Sequence, residues 1–225
     1  MNFRISCMNK KPIAFALCHG WGFDAQSLAR LEQLLRSQFP SAPVVAFDLG
    51  FTGRQEQPAL AADRHWIAVG HSYGFAYLMQ QPVAWNAAIA LNGFTRFCKQ
   101  DGRPEGTPVR TVDAMLANLL RSPHAVLARF YQRCRAPWPV PEQLDAAALH
   151  AHLTLLRDLD SKPPACRVLS LITSGDDVVP PALGRSCFPS PEAITYEFPG
   201  HHMSLLLEPE KSMHCIARFV GELDD

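Results

Sequence analysis

The chain has 225 residues, with 21 Lys+Arg against 21 Asp+Glu, so its formal net charge is zero and no global field draws it to nucleic acid or to an anionic membrane. Hydrophobic residues make up 48%, enough for the full core of one α/β domain carrying an insertion. Seven cysteines without a Cys-x-x-Cys pair argue against zinc ribbons and thioredoxin-like redox sites, and fit free, buried thiols in a reducing compartment.

Residues 3–7 alternate and suit a short edge strand, followed by a turn over residues 9–12. Ile13–Cys18 is apolar throughout, as a strand covered on both faces should be, and runs into the loop His19-Gly20-Trp21-Gly22. That apolar run is too short for a signal-peptide core or a membrane span, so the expectation is a soluble cytoplasmic protein with no membrane partner. Residues 27–38 carry leucines at 28, 31, 34 and 35, which is helical spacing. Residues 43–48 form the next buried strand, and residues 59–64 leave room for only a turn or two of helix.

The stretch that organises the rest begins at Trp66. Residues 66–69 are of strand type, then come Gly70-His71-Ser72-Tyr73-Gly74 and residues suited to a helix. A serine at a sharp strand-to-helix turn projects its hydroxyl from the sheet edge, and glycine two positions to either side avoids collisions across the turn. Further strands are expected at residues 87–92, 167–173 and 194–198, with a closing helix over 208–223. Strands alternating with helices predict an α/β fold: a mostly parallel central sheet with helices on both faces.

Between residues 92 and 167 the alternation fails and no strand is expected. Residues 111–134 have helical periodicity, broken at Ser122-Pro123, where Ser122 is expected to cap the second helix and Pro123 to open it. Residues 141–159 are helical again. The division is therefore a core of residues 1–97 and 164–225 and a helical cap insertion of residues 98–163, over the carboxyl ends of the strands where such sheets bind ligands.

A serine nucleophile needs a base, and the base an orienting acid. Asp176-Asp177 follow the strand at 167–173, and His201-His202 follow the last strand, so acid and histidine come in the order Ser, acid, His, at the same sheet edge as Ser72. One aspartate of the pair is also expected to cap the following helix. The Trp21 and Tyr73 amides are the expected oxyanion donors. His19 is read as shaping its loop and His71 as packing, while His150 and His152 lack ligand spacing; no metal site and no cofactor are expected.

Together His19-Gly20, Asp48, Gly70-His71-Ser72-Tyr73-Gly74, residues 176–180 and residues 202–209 make the chain resemble the α/β-hydrolase superfamily over nearly its whole length. The resemblance implies the α/β-hydrolase fold with a helical cap. An Asp four residues before a Val-Pro proline selects Asp176, and Gly-His with Pro seven residues beyond selects His202, so the implied triad is Ser72, Asp176 and His202. Within the superfamily, His19-Gly20-Trp21-Gly22-Phe23 and the compact size are similar to the carboxylesterases that demethylate pimeloyl-acyl-carrier-protein methyl ester in biotin synthesis. The implied activity is serine-dependent hydrolysis of carboxylic esters. Small-ester esterase, acyl thioesterase and, from another class, a non-enzymatic binding module stay open.

An acyl carrier protein is the macromolecular partner expected beside a small ester substrate. Residues 114–141 hold Arg121, Arg129, Arg133 and Arg135 and no Asp or Glu, a formal charge of +4. Arg129 and Arg133 are four apart and share a helix face, with Leu127, Phe130 and Tyr131 expected on another. Arg121, Arg129 and Arg133 are the candidate partner-binding residues.

Overall fold

The computed structural model describes residues 11–189, 191 and 193–223, so the strand expected at residues 3–7 lies outside the described residues. Six strands, β1 (Ile13–Cys18), β2 (Val44–Phe47), β3 (His65–His71), β4 (Ala87–Leu91), β5 (Arg167–Thr173) and β6 (Ala193–Phe198), form one sheet in the order β2-β1-β3-β4-β5-β6. Every pairing is parallel. The four inner strands are buried almost end to end, as a parallel sheet covered on both faces requires, while the edges β2 and β6 are only partly buried. Phe15 and Leu17 on β1 have no exposure at all, and burying each contributes about 1.5–3 kcal/mol.

The helices are α1 (Ala29–Gln38), α2 (Tyr73–Met79), α3 (Val109–Leu119), α4 (Pro123–Cys134), α5 (Ala146–Asp158), α6 (Pro181–Cys187), α7 (Ser204–Leu207) and α8 (Glu210–Gly221). Leu169 of β5 shares a pocket with Phe219 of α8, whereas Ile172 of β5 abuts Gly184 of α6. Positions 169 and 172 point to opposite faces of a strand, so α8 and α6 cover opposite faces of the sheet. None of the described helices is long and apolar enough to cross a membrane.

Three local expectations differ from what folds. No helix forms between β2 and β3; that segment is turns and a Glu56–Asp48 bridge. Ser122 leaves α4 without a side-chain cap, although Pro123 does open the helix and the Ser122 carbonyl accepts from Val126 N. Helix α5 starts later than periodicity suggests because Asp145 caps it, accepting from Ala148 N at 2.8 Å.

Helices α3, α4 and α5 all lie between β4 and β5. The chain leaves and re-enters the core side by side, with an antiparallel backbone bridge between Arg96 and Asp160 and Ser161 N donating to Thr95 O at 2.9 Å. The six described cysteines are unpaired, and burial pushes the Cys18 and Cys134 thiols well up, which keeps them protonated and inert.

Candidate active site

Sheet register decides which loops meet. Cys18 pairs with Gly70, His71 with Leu91, Leu91 with Leu171, and Thr173 with Phe198. The residues after β1, β3, β4, β5 and β6 therefore emerge at one sheet edge: the 19–22 loop, Ser72, Asn92, the 174–177 turn and the 199–202 turn.

Ser72 has φ 53° and ψ −124°, a conformation that L-residues rarely hold. Its surroundings impose it. The Ser72 amide donates to Leu91 O at 2.9 Å, and the Ser72 carbonyl accepts from Phe75 N at 3.2 Å. A Cβ on Gly70 would lie 2.2 Å from Phe75 Cα, and one on Gly74 would lie 2.3 Å from the Cys18 carbonyl oxygen. Both separations are impossible, so the turn tolerates only glycine at these two places.

The pairs Asp176/Asp177 and His201/His202 separate cleanly. Asp176 Oδ2 meets His202 Nδ1 at 2.7 Å, and both side chains are fully buried. The other oxygen, Asp176 Oδ1, accepts from Val178 N at 2.7 Å and Val179 N at 2.8 Å. Those amides belong to the turn, and α6 starts at Pro181 with no side-chain cap, so neither aspartate caps that helix. Asp177 is exposed and faces Arg135 at 3.7 Å, and His201 Nδ1 only accepts from Met203 N at 3.3 Å. With Nδ1 bound to a carboxylate, His202 keeps Nε2 free to accept, and that buried atom has no partner among the described residues.

His202 is held from behind by residues that sequence reasoning underrated. Its carbonyl accepts from His71 Nε2 at 3.0 Å and from Asn92 Nδ2 at 3.1 Å. His71 therefore does more than pack: its bond to a carbonyl requires the Nε2–H form. Burial first, then the nearby His202 ring, holds its pKa well below the usual histidine value, so it stays neutral. Asn92 adopts φ 47°, and its Oδ1 also accepts from Thr173 N at 2.9 Å, tying the ends of β4 and β5 to the histidine turn. The signal was present in Asn92-Gly93 after a strand, a pair suited to left-handed backbone.

The 19–22 loop is likewise fixed. His19 is fully buried, donates from Nδ1 to Gly20 O at 2.9 Å and accepts at Nε2 from Leu49 N at 3.0 Å, which is the loop-shaping role expected of it. A Cβ on Gly20 would sit 3.2 Å from Ser72 Cβ, so the loop lies against the serine. The Trp21 amide donates to no described residue, and the Tyr73 amide is the first of α2, which has no helical carbonyl to bond.

Ser72 and Trp21 open onto a cavity of about 540 Å³ walled by the three inserted helices, with Val112, Met115, Val126, Phe130, Leu153 and Leu156 among its apolar lining. Arg129 and Arg133 line it, joined by Arg110, which sequence reasoning passed over. Phe130 lines the same cavity rather than facing away. Arg121 does not line it; it sits in the turn between α3 and α4 and bonds back to Asn118 Oδ1 at 3.3 Å. Arg133 Nε donates to the Asp177 carbonyl at 2.7 Å, so the arginine surface is partly met by the acid loop.

No family model and no curated protein sequence matches the chain. Solved structures do match. An esterase from Exiguobacterium antarcticum superposes with a TM-score of 0.77 at 15% identity, covering 96% of this chain and 94% of its own. A bromoperoxidase from Bacillus anthracis gives a TM-score of 0.77 at 14% identity, over 93% of this chain and 92% of its own. BioG from Haemophilus influenzae gives 0.53 at 17% identity, over 88% and 91%. An esterase and a bromoperoxidase on one scaffold leave the chemistry to be argued from residues. With six parallel strands among the described residues, the sharp turn at Ser72 and the inserted helices, the chain has the α/β-hydrolase fold.

Proposed function

We propose that the chain hydrolyses carboxylic esters through a Ser72 acyl-enzyme. The observation that carries this reading is the buried Asp176–His202 pair, whose Nε2 has no partner among the described residues, at the sheet edge where Ser72 is held in a strained turn beneath an apolar cavity. Ser72 Oγ attacks the ester carbonyl while its proton passes to His202 Nε2. Asp176 holds the Nδ1–H tautomer and stabilises the imidazolium. The Trp21 and Tyr73 amides receive the oxyanion. Collapse breaks the bond to the alcohol oxygen, which takes the proton from Nε2. Water then adds to the acyl-enzyme, giving its proton to Nε2, and Ser72 leaves with that proton as the acid departs.

The finer reading is demethylation of pimeloyl-acyl-carrier-protein methyl ester. It is supported by the resemblance of residues 19–23 and by a cleft whose apolar walls carry Arg110, Arg129 and Arg133, a setting for an acyl chain delivered by an acidic carrier. Labelling by a fluorophosphonate probe, lost in Ser72→Ala, tests the first step. Turnover of the carrier-linked methyl ester beside nitrophenyl esters of graded length tests the substrate. No labelling of Ser72 would leave a binding module as the better reading.

A charge reversal separates carrier from small ester. Arg129→Glu with Arg133→Glu is expected to raise KM for the carrier-linked ester about tenfold while nitrophenyl acetate changes less than twofold. The native advantage should shrink as salt rises, because exposed charges act over about a Debye length. Equal effects on both substrates would sink carrier docking and leave a small-ester hydrolase.

A further inference from the structure

Both expected oxyanion donors are tied by their side chains to one helix of the insertion. Trp21 Nε1 donates to the Leu149 carbonyl of α5 at 2.9 Å. One turn further along α5, His152 Nδ1 meets the Tyr73 hydroxyl at 3.0 Å, and its ring lies edge-on to Tyr73 and Phe51. A third strap comes from the neighbouring helix: Tyr131 OH on α4 donates to Gly22 O at 2.7 Å. Gly22 is at φ 79°, and a Cβ there would lie 2.8 Å from Leu127 of α4, so the loop bends directly under the inserted helices. The Leu149 carbonyl and the His152 side chain lie three residues apart, within one turn of α5, so both contacts move with that helix as one body. An outward shift of α5 therefore pulls on Trp21 and Tyr73 together.

We infer that α5 positions the oxyanion site, with His152 as the positioning residue for the Tyr73 amide and the Leu149 carbonyl as the anchor of Trp21. The inference rests on the serine-hydrolase reading above. It makes the insertion more than a roof. The same α5 presents Leu153 and Leu156 to the cavity, so an acyl chain that seats against them settles the helix that aims both amides. An oxyanion donor contributes only when held where charge develops, and a small displacement is costly, so loosening the tether should lower turnover more than binding.

The test uses Tyr73→Phe, His152→Phe and their double variant, with Trp21→Phe for the second tether and His152→Asn as the conservative replacement, since its amide can reach where Nδ1 stood. Three quantities are read on each: kcat and KM for nitrophenyl acetate, and the inhibition constant of a trifluoromethyl ketone, whose adduct oxygen occupies the oxyanion site. Each Phe variant is expected to lose about tenfold in kcat with KM within twofold, and to weaken the ketone in parallel. The Tyr73/His152 double should be no worse than either single, and His152→Asn should recover most of the loss. Unchanged kcat in variants that still label with fluorophosphonate would overturn the tether alone. So would additive losses, or losses confined to KM. A native chain that does not label at Ser72 would overturn the hydrolase reading and the tether with it.

Discussion

Ser72→Gly is expected to abolish ester turnover and to raise the melting temperature. The two effects come from the same residue. Removing the hydroxyl removes the proposed nucleophile, and triad enzymes lose at least about a thousandfold in kcat without theirs. The backbone at Ser72 sits at φ 53° and ψ −124°, where a non-glycine residue carries about 1–3 kcal/mol of strain. Glycine relieves that strain, and its greater freedom in the unfolded chain takes back about 0.5–1 kcal/mol. The balance favours the folded state by about 1 kcal/mol, or about 2–4 °C for a chain of this size. Ser72→Ala shares the loss of turnover but keeps a Cβ at the strained position, so its melting temperature should stay near the native value. Thermal melts of the three proteins, with nitrophenyl acetate turnover, decide the matter. Retained turnover in either variant would remove Ser72 from the mechanism. A glycine variant no more stable than the alanine one would show that the turn stores no strain.

The turn at Ser72 was legible in part because half of its constraint is local: Gly70 is demanded by Phe75, five residues on, and the apolar run before it announces a buried strand. Gly74 is instead demanded by the Cys18 and His19 carbonyls at the end of β1, so its collision lies across strands and not across the turn, and only the Gly-x-Ser-x-Gly pattern points to it in the sequence. The alternation of elements carried the sheet for the same reason: period and turn chemistry are written along the chain. Choices that depend on contacts far apart in sequence were not legible. Nothing near His152 says that it will meet Tyr73, 79 positions away, and nothing near Trp21 says that its indole will reach Leu149, 128 positions away. Arg121 shares its charge with Arg129 and Arg133 but not their place: it falls in the turn between two helices, off their shared face. Arg110 precedes the basic stretch in sequence and joins it only when α3 and α4 fold against each other, so charge counting along the chain does not find it.

Asp176→Asn should cut kcat by about four orders of magnitude while leaving the fold intact, and Asp177→Asn should change it less than twofold. The hydrogen bonds dictate the first result. Asp176 Oδ1 accepts from the Val178 and Val179 amides at 2.7 and 2.8 Å, and Oδ2 faces His202 Nδ1 at 2.7 Å. An asparagine of the same shape must keep its oxygen on the two amides, because its NH2 cannot accept from them. The NH2 group is then turned to His202 and donates to Nδ1. That forces the imidazole proton onto Nε2, the atom that takes the Ser72 proton in the proposed mechanism, and the proposed base is lost without any movement of atoms. Because the asparagine fills the same space and satisfies both amides, the melting temperature should change little, which separates wrong tautomer from broken structure. Asp177 is exposed and its carboxylate faces Arg135 at 3.7 Å, a surface pair worth at most about 1 kcal/mol. The same logic assigns the histidines: His202→Ala should match the Asp176 loss, and His201→Ala should stay within a few-fold of native. Titrating the imidazole by nitrogen NMR gives an independent reading, with the proton on Nδ1 in the native chain and on Nε2 in Asp176→Asn. An Asp176→Asn protein with near-native turnover, or a severe loss in Asp177→Asn instead, would move the acid to the neighbouring residue and contradict the geometry of the buried pair.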